Sequence, residues 1–234
     1  MVLQPSGPAF GGGRNRRHCQ PRRTAETQRR LGAGLRRSGR LDPGFTGAPD
    51  RAPALSQRTG PWQDYADKLT ELARFTLSQG VRLAYHHHMG AYVESPADID
   101  KLMSLTGEEV GLLFDSGHCY MGGGEPLEVL RKHIQRVCHV HFKDVRKPVV
   151  QLARNNLWSF PDCIVNGTFT VPGDGDIDFA ALLDVLLAAD YHGWLVVEAE
   201  QDPAVAPSYV YAKKGYDTLR ALLDAGLQRT RTAQ

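Results

Sequence analysis

The sequence has four cysteines, no long apolar run and, through Arg58, no lysine. Each shortage excludes something. No stretch approaches the ~20 apolar residues that a membrane-spanning helix requires, and the N-terminus lacks the apolar core of a secretory signal. A soluble, cytoplasmic chain with no membrane partner is expected. Cys19, Cys119, Cys138 and Cys163 form no C-x-x-C pair and no zinc-finger spacing, so they read as reduced thiols rather than a disulfide framework. GGGR near the N-terminus follows no strand and lacks GK[ST], which removes a phosphate loop. Asp174, Asp176 and Asp178 in PGDGDIDF mimic the start of a calcium loop, but its glycine is missing and Val185 stands where the bidentate Glu belongs. The three read instead as turn and helix N-cap residues.

Charge is divided unevenly. Through Arg58 there are twelve Arg against three acids, a balance of +9, and the rest carries −7 within the overall +2. Residues 1–55, rich in Gly, Pro and Arg, show no sustained period of 2 or 3.6. They cannot bury enough apolar surface to offset chain entropy, so disorder is expected. An Arg-rich arm for nucleic acid is disfavoured by the lack of Lys and of interleaved aromatics. A transit peptide is disfavoured by the lack of an amphipathic helical pattern, and a non-native extension is the third reading.

Residues 56–234 have the texture of one folded domain. Trp62, Tyr65, Ala66, Leu69, Leu72, Ala73 and Thr76 recur at helical spacing between Pro61 and Gly80. The run VRLAYHHHMG (81–90) reads as a buried strand ending in three histidines, with His86 and His88 on one side and His87 on the other. Ser95-Pro96 opens a second helix that Gly107 closes, and VGLLFD (110–115) is a strand ending in a carboxylate. A helix with Leu127, Leu130 and Ile134 leads to a third strand at 137–144, where His139, His141 and Lys143 share a face. The connection 145–176, broken by Pro148, Pro161 and Pro172, is too long for an ordinary loop. It is expected to fold over the site or carry a short helix. An apolar helix at 177–189, a fourth strand at 194–200 and a helix from 208 to 223 complete the alternation, which implies an α/β fold with a parallel sheet and right-handed crossovers.

Parallel strands bring their C-terminal ends to one face, whatever their separation along the chain. Here each strand ends in a group able to bind a divalent metal: His86, Asp115, His141 and Glu198. Two imidazoles and two carboxylates without a thiolate favour Mn²⁺, Co²⁺, Fe²⁺ or Zn²⁺ over a structural zinc site. Singly, each has another reading: Asp115 as a cap, His141 as a hydrogen-bonded core residue, Glu198 as a partner of Lys143.

YHHHMG, LLFDSGH, HVHFKDVR, FTVPGDGDIDF and GWLVVEAEQDP, in this order over about residues 52–225, resemble the inosose dehydratases of myo-inositol catabolism. These belong to the xylose-isomerase-like superfamily of TIM-barrel sugar isomerases and epimerases. The resemblance implies metal-dependent dehydration of a cyclic polyol ketone, 2-keto-myo-inositol (scyllo-inosose), with Mn²⁺ or Co²⁺ and with glutathione as an added requirement. It places the metal ligands on His86, Asp115, His141 and Glu198, although most of the superfamily has Glu at the first position and His88 is an alternative there. His118 and Lys143 match substrate-facing positions. In the lyase reading the base is His88 or Glu200 and the acid is His118 or Lys143. A sugar isomerase or epimerase, or an inactive half-barrel fragment, are the alternatives. Only four strands are present, the C-terminal half of such a barrel. Strand edges left open at 81–86 and 194–198 are expected to drive self-association.

Overall fold

Helix α1 (Trp62–Ser78) forms where the apolar spacing requires it, burying Trp62, Ala66, Thr70 and Ala73 along one stripe. The computed structural model describes residues Val2–Leu3 and 62–232; the Arg-rich stretch, Cys19 and most of the segment expected to be disordered lie outside the described residues. Strand β2 (Leu83–His86) follows. Helix α2 (Pro96–Leu105) starts on a capping box, in which Ser95 Oγ accepts from Asp98 N–H and the Asp98 carboxylate accepts from Ser95 N–H. Strand β3 (Val110–Asp115) runs straight into a short helix, α3 (Ser116–Met121), that the sequence reading did not separate. Helix α4 (Pro126–His133) and a 3₁₀ turn (Ile134–Arg136) lead to β4 (Val137–Phe142).

The long connection carries two helices rather than one. After β5 (Asp144–Val145) come α5 (Lys147–Asn155), α6 (Phe160–Val165) and β6 (Phe169–Thr170), and β5 and β6 pair antiparallel. They form an arm with its own small core of Val145, Val150, Ala153, Cys163 and Phe169. Helix α7 (Phe179–Ala188), β7 (Leu195–Val197) and α8 (Ser208–Thr232) finish the chain. α8 runs nine residues beyond its expected end at 223, because Leu227 continues the apolar stripe of Leu219 and Leu223 against the core. Among the described residues no helix is long and apolar enough to cross a membrane.

β2, β3, β4 and β7 are parallel neighbours in the order β7-β4-β3-β2. Val110, Leu112, Phe114, Val140, Phe142 and Leu195 are buried in the main core, which also contains the helix residues Ile99, Leu102, Leu130, Leu182 and Leu219. The intervening Asp115 and His141 belong to the opposite face by strand alternation, and they sit directly across from each other in the register. One expected open edge is absent: β1 (Val2–Leu3) pairs antiparallel with β7, opposite Val196 and Leu195. The 194–198 edge, expected to be open, is therefore covered along these two residues. Unpaired strand N–H and C=O groups accept whatever chain can reach them, and a pairing so remote in sequence leaves no local signal.

At the opposite end of the sheet, Arg136 joins the end of α2 to the start of β3. Its guanidinium donates to Met103 O, Thr106 Oγ1, Gly107 O and Val110 O at 2.8–3.1 Å. Arg136→Ala strands these acceptors and is expected to cost about 2 kcal/mol, read as a lower urea midpoint with an unchanged m-value.

Candidate metal centre and acid–base cluster

Asp115 ends β3 and also caps α3, and its two oxygens divide the work. Oδ1 accepts from His118 N–H at 2.8 Å, while Oδ2 is buried with no hydrogen-bond partner. Around Oδ2 stand His86 Nε2 at 3.6 Å and His141 Nδ1 at 3.6 Å. His141 Nδ1 lies 2.8 Å from Glu198 Oε2. His86 Nε2 and Asp115 Oδ2 are buried without a hydrogen bond, and His141 Nδ1 and Glu198 Oε2, also buried, face only each other, although unsatisfied buried polar atoms are rare and costly. Ligand atoms about 2.1 Å from a divalent metal lie about 3–3.5 Å apart. The ligand atoms of Asp115, His141 and Glu198 all lie within 4.8 Å of one another, as do those of His86, Asp115 and His118, with Asp115 common to both groups. Of the two histidines offered for the first ligand position, His86 Nε2 faces Asp115 and His88 Nε2 faces Glu200.

The second cluster adjoins the first. Lys143 Nζ, fully buried, lies 2.7 Å from Glu200 Oε2, 2.8 Å from His118 Nε2, 3.4 Å from Glu198 Oε2 and 3.7 Å from Asp115 Oδ2. His118 is buried and stacks on His88 with ring centroids 3.6 Å apart. His88 Nδ1 donates to Met89 O at 2.8 Å, which turns Nε2 towards Glu200 Oε1 at 3.6 Å. Of these four groups, Glu200 and His88 are partly open, with side chains 23% and 29% exposed, and Lys143 and His118 are closed off.

Electrostatics follow from that packing. Burial works against the charge on Lys143, but Asp115, Glu198 and Glu200 outweigh it and raise its pKa. Burial would raise the Glu200 carboxyl, yet His118, His88 and Lys143 hold it far below the ordinary carboxylate range. Asp115 is likewise held low, against burial, by Lys143, His141 and His86. Burial would lower His141, but Asp115 and Glu198 push it up to about 9. Glu200 raises His88, and burial lowers His118. Three carboxylates thus face the Lys143 ammonium and a His141 imidazole whose proton a bound cation would displace.

His87 points the other way, into the core, where Nε2 accepts from Asp115 N–H at 3.2 Å. Burial lowers its pKa from 6.5 to about 3. The unfolded chain therefore binds the extra proton between those values. The contribution of His87 to stability is complete above pH 6.5 and is lost as pH falls towards 3. Between pH 6.5 and 5 this amounts to about 2 kcal/mol. Urea unfolding at both pH values should show that difference in the wild type and not in His87→Gln, which keeps an acceptor but does not titrate.

Three residues that place this site were not singled out from the sequence. Ser116 Oγ accepts from Lys143 N–H and donates to Lys143 O at 2.7 Å, fixing that strand end. Gly117 is required because a Cβ there would lie 2.7–2.9 Å from the Lys143 side chain. Asp144, fully buried, accepts from the backbone N–H of Val145, Gly173, Gly175 and Ile177 at 2.8–3.2 Å. It thereby pins the PGDGD turn to the strand end. Asp178 caps α7 through Ala181 N–H and Asp176 accepts from Lys147 N–H, whereas Asp174 pairs with Arg146 and Lys214.

Known proteins resemble this chain in sequence and fold. The rhizopine catabolism protein MocC of Rhizobium meliloti is 51% identical over 164 residues, covering 70% of this chain and 50% of that protein. An inosose dehydratase of Histophilus somni is 51% identical over 162 residues, covering 68% and 54%. The chain thus spans about half the length of the curated relatives it matches. A solved xylose isomerase-like TIM barrel/4-hydroxyphenylpyruvate dioxygenase fusion protein superposes with a TM-score of 0.56 at 23% identity, covering 74% of this chain and 27% of that one. The family model for the xylose isomerase-like TIM barrel matches residues 13–222, beginning inside the Arg-rich stretch. With its parallel strands ending on one face, this chain belongs to the xylose isomerase-like TIM-barrel family.

Proposed function

We propose that the chain eliminates water from a cyclic polyol ketone, with scyllo-inosose as substrate, using a divalent cation held by His86, Asp115, His141 and Glu198. The observation that carries this reading is the gathering of buried imidazole and carboxylate atoms around Asp115 Oδ2, which has no hydrogen-bond partner, beside the partly open Glu200 and His88. Relatives 46–51% identical that bear the name inosose dehydratase support it. The mixed imidazole and carboxylate donor set suits Mn²⁺ or Co²⁺. Such a cation polarises a ketone oxygen and makes the neighbouring C–H more acidic.

The chain's own groups then divide the proton transfers by accessibility. Glu200, ionised and open on one side, accepts the proton from the carbon beside the ketone. The electron pair of that C–H bond becomes the new carbon–carbon double bond, and the bond from the next carbon to its hydroxyl breaks. That hydroxyl takes the proton of His88 Nε2 and leaves as water. The proton on Glu200 returns to His88 across the 3.6 Å between them. Lys143 and His118 lie behind this pair and position it: their charge and hydrogen bonds hold Glu200 ionised and oriented.

Incubation with scyllo-inosose and Mn²⁺, with and without glutathione, tests the reading by mass spectrometry. A product lighter by one water, lost in Glu200→Gln, is expected. A product of unchanged mass would replace the lyase reading with an isomerase or epimerase. The β2 edge, unpaired among the described residues, also supports self-association, which light scattering on the purified chain measures.

A further inference from the structure

The arm places an aromatic ring beside the acid–base pair, and nothing in the proton chemistry requires it. The Phe160 ring is half-buried, with its centroid 5.1 Å from that of His88 at 69° and 6.0 Å from that of His118. It rests on the fully buried Phe169, 6.0 Å away, whose own ring lies 5.4 Å from His118. Its backbone is fixed locally. Ser159 caps α6 in a reciprocal box with Asp162, and Pro161 follows Phe160 in the first turn. A rigid, partly open aromatic face next to hydrogen-bonding groups is the arrangement that binds a ring with an apolar side and a polar rim.

We propose that Phe160 is a specificity-determining residue that selects cyclic polyols whose hydroxyls are all equatorial. This rests on the functional reading above. In scyllo-inosose every hydroxyl is equatorial, so both faces of the ring present only axial C–H bonds, and the hydroxyls radiate from the rim. One such face packs against the Phe160 ring while the rim meets the imidazoles and carboxylates. An axial hydroxyl pointed at the same ring is stripped of water and finds no hydrogen-bond partner, which costs affinity. Discrimination of this kind is worth on the order of tenfold or more.

Two non-reacting probes isolate the effect. scyllo-Inositol has only equatorial hydroxyls, whereas chiro-inositol carries one axial hydroxyl on each face of the ring, so neither of its faces is free of hydroxyl. Calorimetric titration of the whole chain with each probe should show scyllo-inositol bound about tenfold more tightly. Phe160→Tyr keeps a flat face and should retain the preference. Phe160→Leu keeps bulk without the flat face, and it should bring the ratio below about twofold, as should Phe160→Ala. A ratio unchanged in the Leu and Ala variants, or equal binding of both probes by the wild type, would overturn the assignment alone. Failure of the wild type to bind either polyol would overturn the functional reading and this assignment with it.

Discussion

Lys143→Met is expected to lower the stability of the chain by about 3–5 kcal/mol in EDTA, as a buried charge cluster does when it loses one partner. Methionine preserves the length and volume of the side chain, so the loss is electrostatic rather than a cavity. Asp115, Glu198 and Glu200 lie within 3.7 Å of the ammonium, and without it only the His141 and His88 imidazoles oppose their mutual repulsion. Mn²⁺ should recover much of the loss, because an ion that binds only the folded state stabilises it by RT ln(1 + [L]/Kd). Urea unfolding of wild type and variant, with EDTA and with Mn²⁺, gives all four numbers. A difference below about 1 kcal/mol in EDTA would mean that the ammonium does not balance the carboxylates.

The parallel architecture was legible because its signals are local. The run VGLLFD and the alternation in VCHVHF report buried strands, and Ser95-Pro96 reports a helix start that the structure places at Pro96. The candidate ligands were legible for a topological reason, since parallel strands gather their C-terminal ends. What the sequence hid is three-dimensional. Asp115 was open to reading as a cap or a ligand; Oδ1 makes the cap, and Oδ2 is left without a hydrogen-bond partner. The role of Gly117 depends on Lys143, 26 positions away, passing over it. Asp144 gathers backbone N–H groups from about thirty residues downstream. Candidate acids and bases could be named from their chemistry, but only burial separates Glu200 and His88, which reach solvent, from Lys143 and His118, which do not. The pairing of Val2 and Leu3 with β7 lacked any sequence marker, because two residues carry no period.

The second large effect concerns the ion itself. Removing one ligand should weaken the centre by more than the 10–100-fold typical of changes outside the ligand set. Asp115→Ala removes the ligand and the α3 cap together, so Asp115→Asn is the cleaner variant. Its amide oxygen can keep the hydrogen bond from His118 N–H, while the negative charge at Oδ2 is lost. Stability in EDTA should therefore survive in Asp115→Asn better than in Asp115→Ala, by roughly the 1 kcal/mol of a helix cap, with metal affinity reduced in both.

Elemental analysis of the purified chain after equilibration with Mn²⁺ or Co²⁺ and exhaustive dialysis tests the central claim most directly. About one equivalent of metal on the wild type, and little on Asp115→Asn, is expected if His86, Asp115, His141 and Glu198 form one cation centre. Less than about 0.2 equivalents on the wild type, or a content that Asp115→Asn leaves unchanged, would contradict it.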